Sequence, residues 1–281
     1  MSWKITSVSL SSPSVERRIK GVRYINMDIR KFDEHTDVLQ QEYDYVVNLG
    51  GYVDHRLIKE SGLMVIDSHY KGILKLIDIL PRKKIKRFVQ IGSSDEYGNT
   101  VSPQVEEIRE NPISPYSFAK TATTHFLQML HKTENYPVVI LRPFLVYGPN
   151  QGTERFIPQV INGCLENKEF PASLGMQLRD FCYIDDVVEA IFVSLTEKNA
   201  IGQVINIGSG EPTTVRSIVE KIVANIGTGS PNYGEIPYRT GENMSLFADV
   251  NKAYSVLGWK PNVSFDEGVI RTIGWFTQKK I

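Results

Sequence analysis

Cysteine is scarce in this chain: Cys164 and Cys182 are the only two among 281 residues. Two cysteines cannot form a disulfide framework, and no C-x-x-C pair occurs. The five histidines are scattered along the sequence and match no zinc-binding spacing. We therefore expect a protein of a reducing compartment, the cytoplasm, and we predict no metal site.

An excess of charge of either sign is also missing, since 32 Lys and Arg residues balance 32 Asp and Glu residues. Nucleic-acid-binding proteins usually present a basic face, so this balance argues against that class. No apolar run reaches the ~18 residues that a transmembrane helix needs, and residues 1–10 lack the apolar core of a signal peptide. We expect neither nucleic acid nor a membrane among the partners of this chain.

The sequence does contain a regular alternation of strand-like and helix-like segments. Strand patterns cover residues 4–10, 22–29, 45–49, 87–91, 138–141 and 204–207, and helix patterns cover about 61–80, 117–132 and 214–226. Such alternation predicts an α/β fold, a Rossmann-like doubly wound parallel sheet. After residue 149 the alternation weakens. We predict a cofactor domain of residues 1–149 plus about 181–207, and a smaller irregular C-terminal substrate lobe of about 150–180 and 208–281.

The strongest chemical signal is Tyr116-x-x-x-Lys120 at the start of a predicted helix. Residues four apart lie on one face of a helix. A nearby ammonium stabilises a phenolate and lowers the pKa of the tyrosine, so Tyr116 can exchange a proton with an alcohol. Ser94 follows the predicted strand 87–91, at the sheet edge where ligands bind. Its hydroxyl is expected to hydrogen-bond the same reacting oxygen.

These residues belong to an ordered series of motifs that covers almost all of the chain. The series comprises Gly92-Ser-Ser-Asp-Glu-Tyr-Gly98, Tyr116-x-x-x-Lys120, Leu141-Arg-Pro-Phe-Leu-Val-Tyr-Gly-Pro149, Arg179-Asp-Phe-Cys-Tyr-Ile-Asp-Asp186 and Asn206-Ile-Gly-Ser-Gly210. It resembles the extended short-chain dehydrogenase/reductase family. The similarity is to its NAD-dependent nucleotide-sugar epimerases and dehydratases, the UDP-glucose 4-epimerase-like enzymes of carbohydrate metabolism.

The resemblance implies a set of functional residues. Ser94, Tyr116 and Lys120 would form the catalytic trio, and Lys120 would also hold the nicotinamide ribose. The cofactor is NAD, with NADP as the alternative, and its implied contacts are Asp28, Ile29, Leu49, Gly50, Gly51, Lys120 and Pro143. The partner is a nucleotide-diphosphate sugar, and its implied contacts are Arg179, Arg239 and Glu242. The family resemblance also implies a homodimer through the helices at about 61–80 and 117–132.

Several reactions remain compatible with these residues. In the family NAD first oxidises a sugar hydroxyl at C4, and the 4-keto sugar is then epimerised or dehydrated. Asp95 and Glu96 resemble the acids that dehydratases use at C5 and C6, although they also fit residues that cap a loop. The Ser-x-Glu-Tyr-Gly string resembles NADPH-dependent 4-keto-sugar reductases as well, whereas residues 142–148 and 206–210 resemble general epimerases. A truncated or cofactor-deficient relative that only binds nucleotide-sugar is the further alternative.

The largest departure from the family pattern is the lack of the G-x-x-G-x-x-G turn, whose amides hold the cofactor pyrophosphate. Residues 4–10 resemble the second strand of the family, so a βα unit of about 30 residues has no counterpart ahead of them. One explanation is a fragment or late start of a longer enzyme, which would be poorly soluble or cofactor-poor in this form. The other is a fold in which residues 4–10 take the central position of the sheet. We favour the first because the catalytic residues are present.

Smaller departures concern the cofactor and the active site. No acidic residue that could bind the adenosine ribose follows the strand at residues 4–10. Arg17 and Arg18 lie nearby in the sequence and could contact the 2′-phosphate of NADP. His69 stands where the family commonly has an Asn, and we interpret it as a helix residue rather than a catalyst.

Overall fold

A computed structural model describes residues 3–31, 39, 41–238 and 241–279. The strands in chain order are β1 (Ile5–Ser9), β2 (Val22–Asn26), β3 (Tyr45–Asn48), β4 (Arg87–Ile91), β5 (Val138–Pro143), β6 (Leu145–Tyr147), β7 (Glu169–Ala172), β8 (Leu178–Arg179), β9 (Phe181–Tyr183), β10 (Val204–Ile207), β11 (Thr213–Thr214), β12 (Ser230–Tyr233) and β13 (Ser245–Leu246). The α-helices are α1 (Leu63–Ile66), α2 (Gly72–Ile79), α3 (Pro115–Glu134), α4 (Phe156–Leu165), α5 (Ile184–Thr196), α6 (Val215–Ile226) and α7 (Phe265–Lys279).

The main sheet is parallel and has the strand order β10-β5-β4-β3. Side chains of β4 and β5 alternate between two apolar cores. Phe88 and Ile140 belong to the core that also contains residues of α2 and α3. Val89 and Leu141 belong to the core that contains residues of α5. Helices on both faces of a parallel sheet confirm the predicted α/β class, and the return of β10 to this sheet confirms the prediction for residues 204–207.

Strands β1 and β2 form a separate parallel pair. Within the described ranges no hydrogen-bonded ladder joins β1 to β3, although the rings of Trp3 and Tyr45 lie 5.4 Å apart. Ile5 in β1 is 52% exposed and Leu49 just after β3 is 67% exposed, whereas central strands of parallel sheets are buried on both faces. The hypothesis that residues 4–10 occupy the centre of the sheet is therefore wrong, because β1 does not pair with β3.

The predicted helices appear with small shifts of their ends. The helix expected at 61–80 is a run of α- and π-helical turns from Ile58–Gly62 to Gly72–Ile79. Helix α3 covers the region predicted at 117–132, and it begins where the Ser114 side chain accepts a hydrogen bond from the Ser117 N–H. A serine cap followed by proline is a favourable helix start. Helix α6 ends at Gly227, whose φ of +83° is typical of a glycine C-cap.

The C-terminal part of the chain packs helices α4, α6 and α7 around a third apolar core. Two buried aspartates connect this part to the sheet. Asp180 accepts hydrogen bonds from the backbone N–H groups of Gly210 and Ala248 at 3.0 and 3.1 Å, and Asp186 accepts one from Val263 at 3.1 Å. The division into two lobes stays a prediction. None of the described helices is long and apolar enough to cross a membrane.

Candidate active site

The start of α3 and the carboxyl end of β4 bring the candidate catalytic side chains together. Tyr116 and Lys120 lie one helical turn apart, with Lys120 Nζ 5.8 Å from the centre of the Tyr116 ring. Lys120 Nζ also donates a hydrogen bond of 2.8 Å to the carbonyl of Ile91, the last residue of β4. This bond fixes the lysine at the edge of the sheet, where parallel sheets bind their ligands.

The serine that contacts Tyr116 is Ser93, not Ser94. The Ser93 hydroxyl stabilises the Tyr116 phenolate and so acts to lower the pKa of that tyrosine, and it accepts a hydrogen bond of 3.2 Å from the Asp95 N–H. Ser94 is buried and begins the short 3-10 turn Ser94–Tyr97. The catalytic role expected of Ser94 stays a prediction, and Ser93 is a second candidate because its hydroxyl acts on Tyr116 in α3. The signal for this was the capping pattern Ser93-x-x-Glu96, which marks Ser93 as the residue before a helical turn.

Glu96 is a fully buried structural carboxylate. Its Oε1 accepts a hydrogen bond of 2.9 Å from the Ser93 N–H. Its Oε2 accepts bonds of 2.7 Å from Thr124 and 2.9 Å from Arg142 Nε. With no exposure and both oxygens engaged, this side chain does not face a substrate. The expectation that Glu96 serves as an acid or base at C5 is corrected, whereas the neighbouring Asp95 remains about one-third exposed.

Burial governs the proton affinities of the Tyr116–Lys120 pair. Burial raises the pKa of Tyr116 to about 12, and the hydrogen bond from Ser93 only partly opposes this. Burial also lowers the pKa of Lys120 to about 8, against the charges of Glu96 and Asp95. The lowered tyrosine pKa expected from the sequence is not seen in this structure, because desolvation of the phenolate outweighs the groups that stabilise it, Ser93 and Arg155. Tyr116 is a protonated phenol at neutral pH.

Two histidine rings stand edge-on to the Tyr116 ring. His69 lies 5.2 Å away between ring centres and His55 lies 5.4 Å away. His69 is 6% exposed, donates a hydrogen bond of 2.9 Å to the Tyr52 carbonyl, and has its pKa lowered to about 4 by burial. This agrees with its interpretation as a satisfied helix residue. No sequence pattern indicated His55, which lies in the irregular segment between β3 and the following helix.

The glycine pair after β3 makes room at the same edge of the sheet. Gly51 has a φ of +113°, and a Cβ atom there would collide with the His69 ring. A Cβ atom on Gly50 would lie 3.6 Å from Ile29 Cδ1, so the structure brings Ile29 and this pair together. Only glycine allows both the backbone conformation and the close approach at position 51. Leu49 precedes the pair with its side chain exposed.

The remaining cofactor candidates follow β2 or end β5, and Arg17 and Arg18 lie between β1 and β2. The Asp28 carboxylate accepts hydrogen bonds of 2.7 to 3.1 Å from the Arg30 guanidinium, which lower its pKa to about 2. Pro143 ends β5 and is half-buried. Arg17 donates a 2.8 Å hydrogen bond to Asn150, and Arg18 one of 3.4 Å to a carbonyl of its own loop.

The residues present fit a dinucleotide at its two ends. The family resemblance assigns Lys120 to the nicotinamide ribose and Asp28 and Ile29 to the adenine end, and these assignments stay predictions. For the pyrophosphate, the described part of the chain has no glycine-rich turn beside β1. No group of three or more potential metal ligands occurs among the described residues.

Two of the three predicted substrate contacts meet in the C-terminal part. Arg179 Nη2 forms an ion pair with Glu242, and both side chains are mostly buried. Arg179 Nη1 also donates a hydrogen bond of 2.8 Å to the Leu178 carbonyl. Arg239 lies outside the described residues.

Comparisons with known proteins agree with this geometry. Residues 3–208 match the model of the NAD dependent epimerase/dehydratase family. The UDP-glucuronate 4-epimerase of Thermodesulfobacterium geofontis is 26% identical over 265 residues, 92% of this chain and 80% of that protein. The dTDP-glucose 4,6-dehydratase of Haemophilus influenzae is 29% identical over 210 residues, 69% of this chain and 62% of that protein.

A solved structure extends the likeness to three dimensions. The UDP-glucuronic acid 4-epimerase of Bacillus cereus, in complex with UDP-glucuronic acid and NAD, superposes with a TM-score of 0.85 at 30% identity. The match covers 95% of this chain and 84% of that one. The family match spans well over half of the chain, and the motif series lies in the expected order on the expected fold. The chain therefore belongs to the NAD-dependent epimerase/dehydratase family of extended short-chain dehydrogenases/reductases.

Proposed function

We propose that this chain converts a nucleotide-diphosphate sugar through a 4-keto intermediate, with NAD as its cofactor. The observation that carries the proposal is the cluster of Ser93, Tyr116 and Lys120 at the carboxyl edge of a parallel sheet. When bound, NAD supplies the two-electron oxidant for the C4 carbon. The protein's own residues handle the proton of the C4 oxygen.

Tyr116 exchanges that proton, and Ser93 supports Tyr116. The protonated Tyr116 phenol gives its proton to the C4 oxygen of a keto sugar, and in the opposite direction the phenolate takes the proton back. Ser93 donates a hydrogen bond to the same phenol oxygen, which stabilises the phenolate. Lys120 lies under the Tyr116 ring and contributes its charge when protonated. In this assignment Ser93 replaces Ser94 in the catalytic trio.

The diphosphate of the substrate is assigned to the basic side of the C-terminal part. Arg179 is a nearly buried guanidinium, and such a planar donor suits diphosphate oxygens. Glu242 holds Arg179 in place and offers a carboxylate to the nucleotide ribose. Arg239 stays assigned to the diphosphate by family resemblance alone.

Epimerisation and dehydration differ in what they require beyond C4. Epimerisation needs only reduction of the ketone on its other face, whereas dehydration also needs proton transfer at C5 and C6. With Glu96 buried, Asp95 is the remaining acid of the predicted pair on the open side. Relatives of both kinds exist, a UDP-glucuronate 4-epimerase and a dTDP-glucose 4,6-dehydratase.

The experiment is a product analysis. The protein is incubated with NAD and, separately, with UDP-glucose, UDP-glucuronic acid and dTDP-glucose, and the sugar is followed by NMR. A C4-inverted sugar identifies an epimerase, and a 4-keto-6-deoxy sugar identifies a dehydratase. Consumption of NADPH with a 4-keto sugar alone would support the reductase alternative. Binding without any conversion would support a silent relative.

A homodimer and a cytoplasmic location belong to the same proposal. Helices α1 and α3 pack on each other and expose apolar side chains, namely Leu63, Met64, Phe118 and Met129. Apolar patches of this kind are typical of protein–protein contacts. Light scattering of the purified protein tests the dimer, since the mass of a single chain would contradict it.

A further inference from the structure

We propose that His55 and Asp95 form a proton-transfer pair that acts on C5, the sugar carbon next to the oxidised one. This inference rests on the proposed function, because it assigns the second proton-transfer site of the same pocket. His55 Nε2 lies 3.5 Å from Asp95 Oδ2. The His55 ring also stands edge-on to the Tyr116 ring, with the ring centres 5.4 Å apart. The pair therefore adjoins the group that addresses the C4 oxygen.

Exposure separates His55 from the other histidine beside Tyr116. The His69 side chain is buried and bonded to the Tyr52 carbonyl, so it has no access to a substrate. The side chains of His55 and Asp95 are 38% and 32% exposed. Both side chains are therefore accessible to a sugar whose C4 oxygen approaches the Tyr116 phenol.

Asp95 and Glu96 are adjacent in sequence but have opposite surroundings. The Glu96 side chain points into the protein, where Arg142 and Thr124 bind it. The backbone N–H of Asp95 is held by Ser93, and its side chain faces His55. The negative charge of Asp95 also acts on Tyr116 and Lys120, which agrees with its position beside His55.

A histidine beside a carboxylate suits the chemistry at C5. In a 4-keto sugar the C5 proton is acidic, because the electron pair of the broken C–H bond moves into a C4–C5 double bond and charge settles on the C4 oxygen. The His55 imidazole takes this proton, Asp95 stabilises the resulting imidazolium, and Tyr116 hydrogen-bonds the C4 oxygen.

The proton then has two destinations. It returns to C5, or it passes to the C6 hydroxyl. In the second case the C4 carbonyl re-forms, the electron pair moves into a C5–C6 double bond, and the C6–O bond breaks with release of water. Plain C4 epimerisation requires neither step, so the pair favours dehydration as the reaction of this site.

The experiment measures C5 proton exchange directly. A dTDP-linked 4-keto-6-deoxyhexose is incubated with the protein in D₂O, with and without NAD, and loss of its C5 proton signal is followed by NMR. The exchange needs no oxidation at C4, so it is measured separately from the proposed function. The variants are His55→Asn, Asp95→Asn and His55→Ala. The matched control is His125→Asn, which removes a histidine paired with Glu110 on the outer side of α3.

We expect the wild-type protein to accelerate exchange over the protein-free rate. His55→Asn should slow it by about 100-fold or more, the usual contribution of a general base, and His125→Asn should leave it unchanged. Added imidazole should restore exchange to His55→Ala, an effect that a merely structural histidine would not give. Wild-type exchange no faster than the protein-free rate, or full exchange by His55→Asn, overturns the inference. Failure to oxidise any nucleotide sugar contradicts the proposed function instead. The C5 exchange rates still decide the role of His55 and Asp95 in that case.

Discussion

Glu96 and Arg142 form a fully buried ion pair, with Arg142 Nη2 2.8 Å from Glu96 Oε2 and neither side chain exposed. The same carboxylate binds the Ser93 N–H and the Thr124 hydroxyl. It thereby joins the loop that carries Ser93, helix α3 that carries Tyr116, and strand β5. The relative position of the serine and the tyrosine depends on this one buried side chain.

Removing Glu96 should destabilise the protein strongly. Glu96→Ala leaves Arg142 with less compensation for its buried charge, and breaking a buried pair in this way costs about 3–5 kcal/mol. The free energy of unfolding is measured by urea titration. Glu107→Gln is the control, because Glu107 forms an exposed ion pair with Lys252 and should cost less than about 1 kcal/mol. An unchanged urea midpoint for Glu96→Ala would show that the network does not hold the site together.

The two adjacent serines should differ in their effect on turnover. Ser93→Ala removes the hydroxyl that donates to Tyr116, so it should lower kcat by about 10-fold or more. Ser94→Ala should have a smaller effect on kcat. Initial rates with the active nucleotide sugar compare the two variants. A larger loss for Ser94→Ala would contradict the assignment of Ser93.

Replacing Tyr116 by Phe should separate catalysis from binding. The variant keeps the ring that contacts His55 and His69 but loses the proton donor, so kcat should fall by about 10²–10⁴-fold. Its dissociation constant for the nucleotide sugar, measured by calorimetry, should change little. Tyr254→Phe alters an exposed tyrosine and serves as the control. Full turnover by Tyr116→Phe would favour a different acid at C4.

His69 should make the protein less stable in mild acid. Its pKa is lowered to about 4 in the folded protein, against a reference value of about 6.5. Between these values the unfolded chain binds more protons than the folded one, so stability falls as the pH falls, by about 3 kcal/mol in all. Urea titrations at about pH 7 and at about pH 4 measure this difference in the free energy of unfolding. His69→Asn should show a smaller loss, and an identical loss in both proteins would assign the effect to other groups.

Sequence patterns were sufficient to predict the strands of the main sheet and the helix that carries Tyr116 and Lys120. The continuous apolar runs of β4 and β5 predicted strands buried on both faces, and their residues do divide between two cores. The helix predicted at about 117–132 is present as α3, which begins two residues earlier, at Pro115 after the Ser114 cap. These features depend on local periodicity and capping, which a sequence displays directly.

The orientation of side chains in the turn after β4 could not be predicted from the sequence in this way. Glu96 points inward because Arg142, 46 residues later, supplies its partner, and Ser93 precedes the turn and binds the Asp95 N–H. The raised pKa of Tyr116 has a similar origin, since desolvation depends on packing that no spacing rule contains. His55 was missed because it lies in an irregular segment and meets Asp95 only in the folded chain.

The central claim is that this protein removes hydrogen from C4 of a nucleotide sugar with NAD as the acceptor. The most direct measurement uses UDP-glucuronic acid, UDP-glucose and dTDP-glucose carrying deuterium at C4, each in a single turnover with the folded protein and NAD. We predict that deuterium from at least one of these sugars appears on the nicotinamide ring, as detected by mass spectrometry. If NAD and sugar both bind and the deuterium stays on C4 in every case, the account is contradicted.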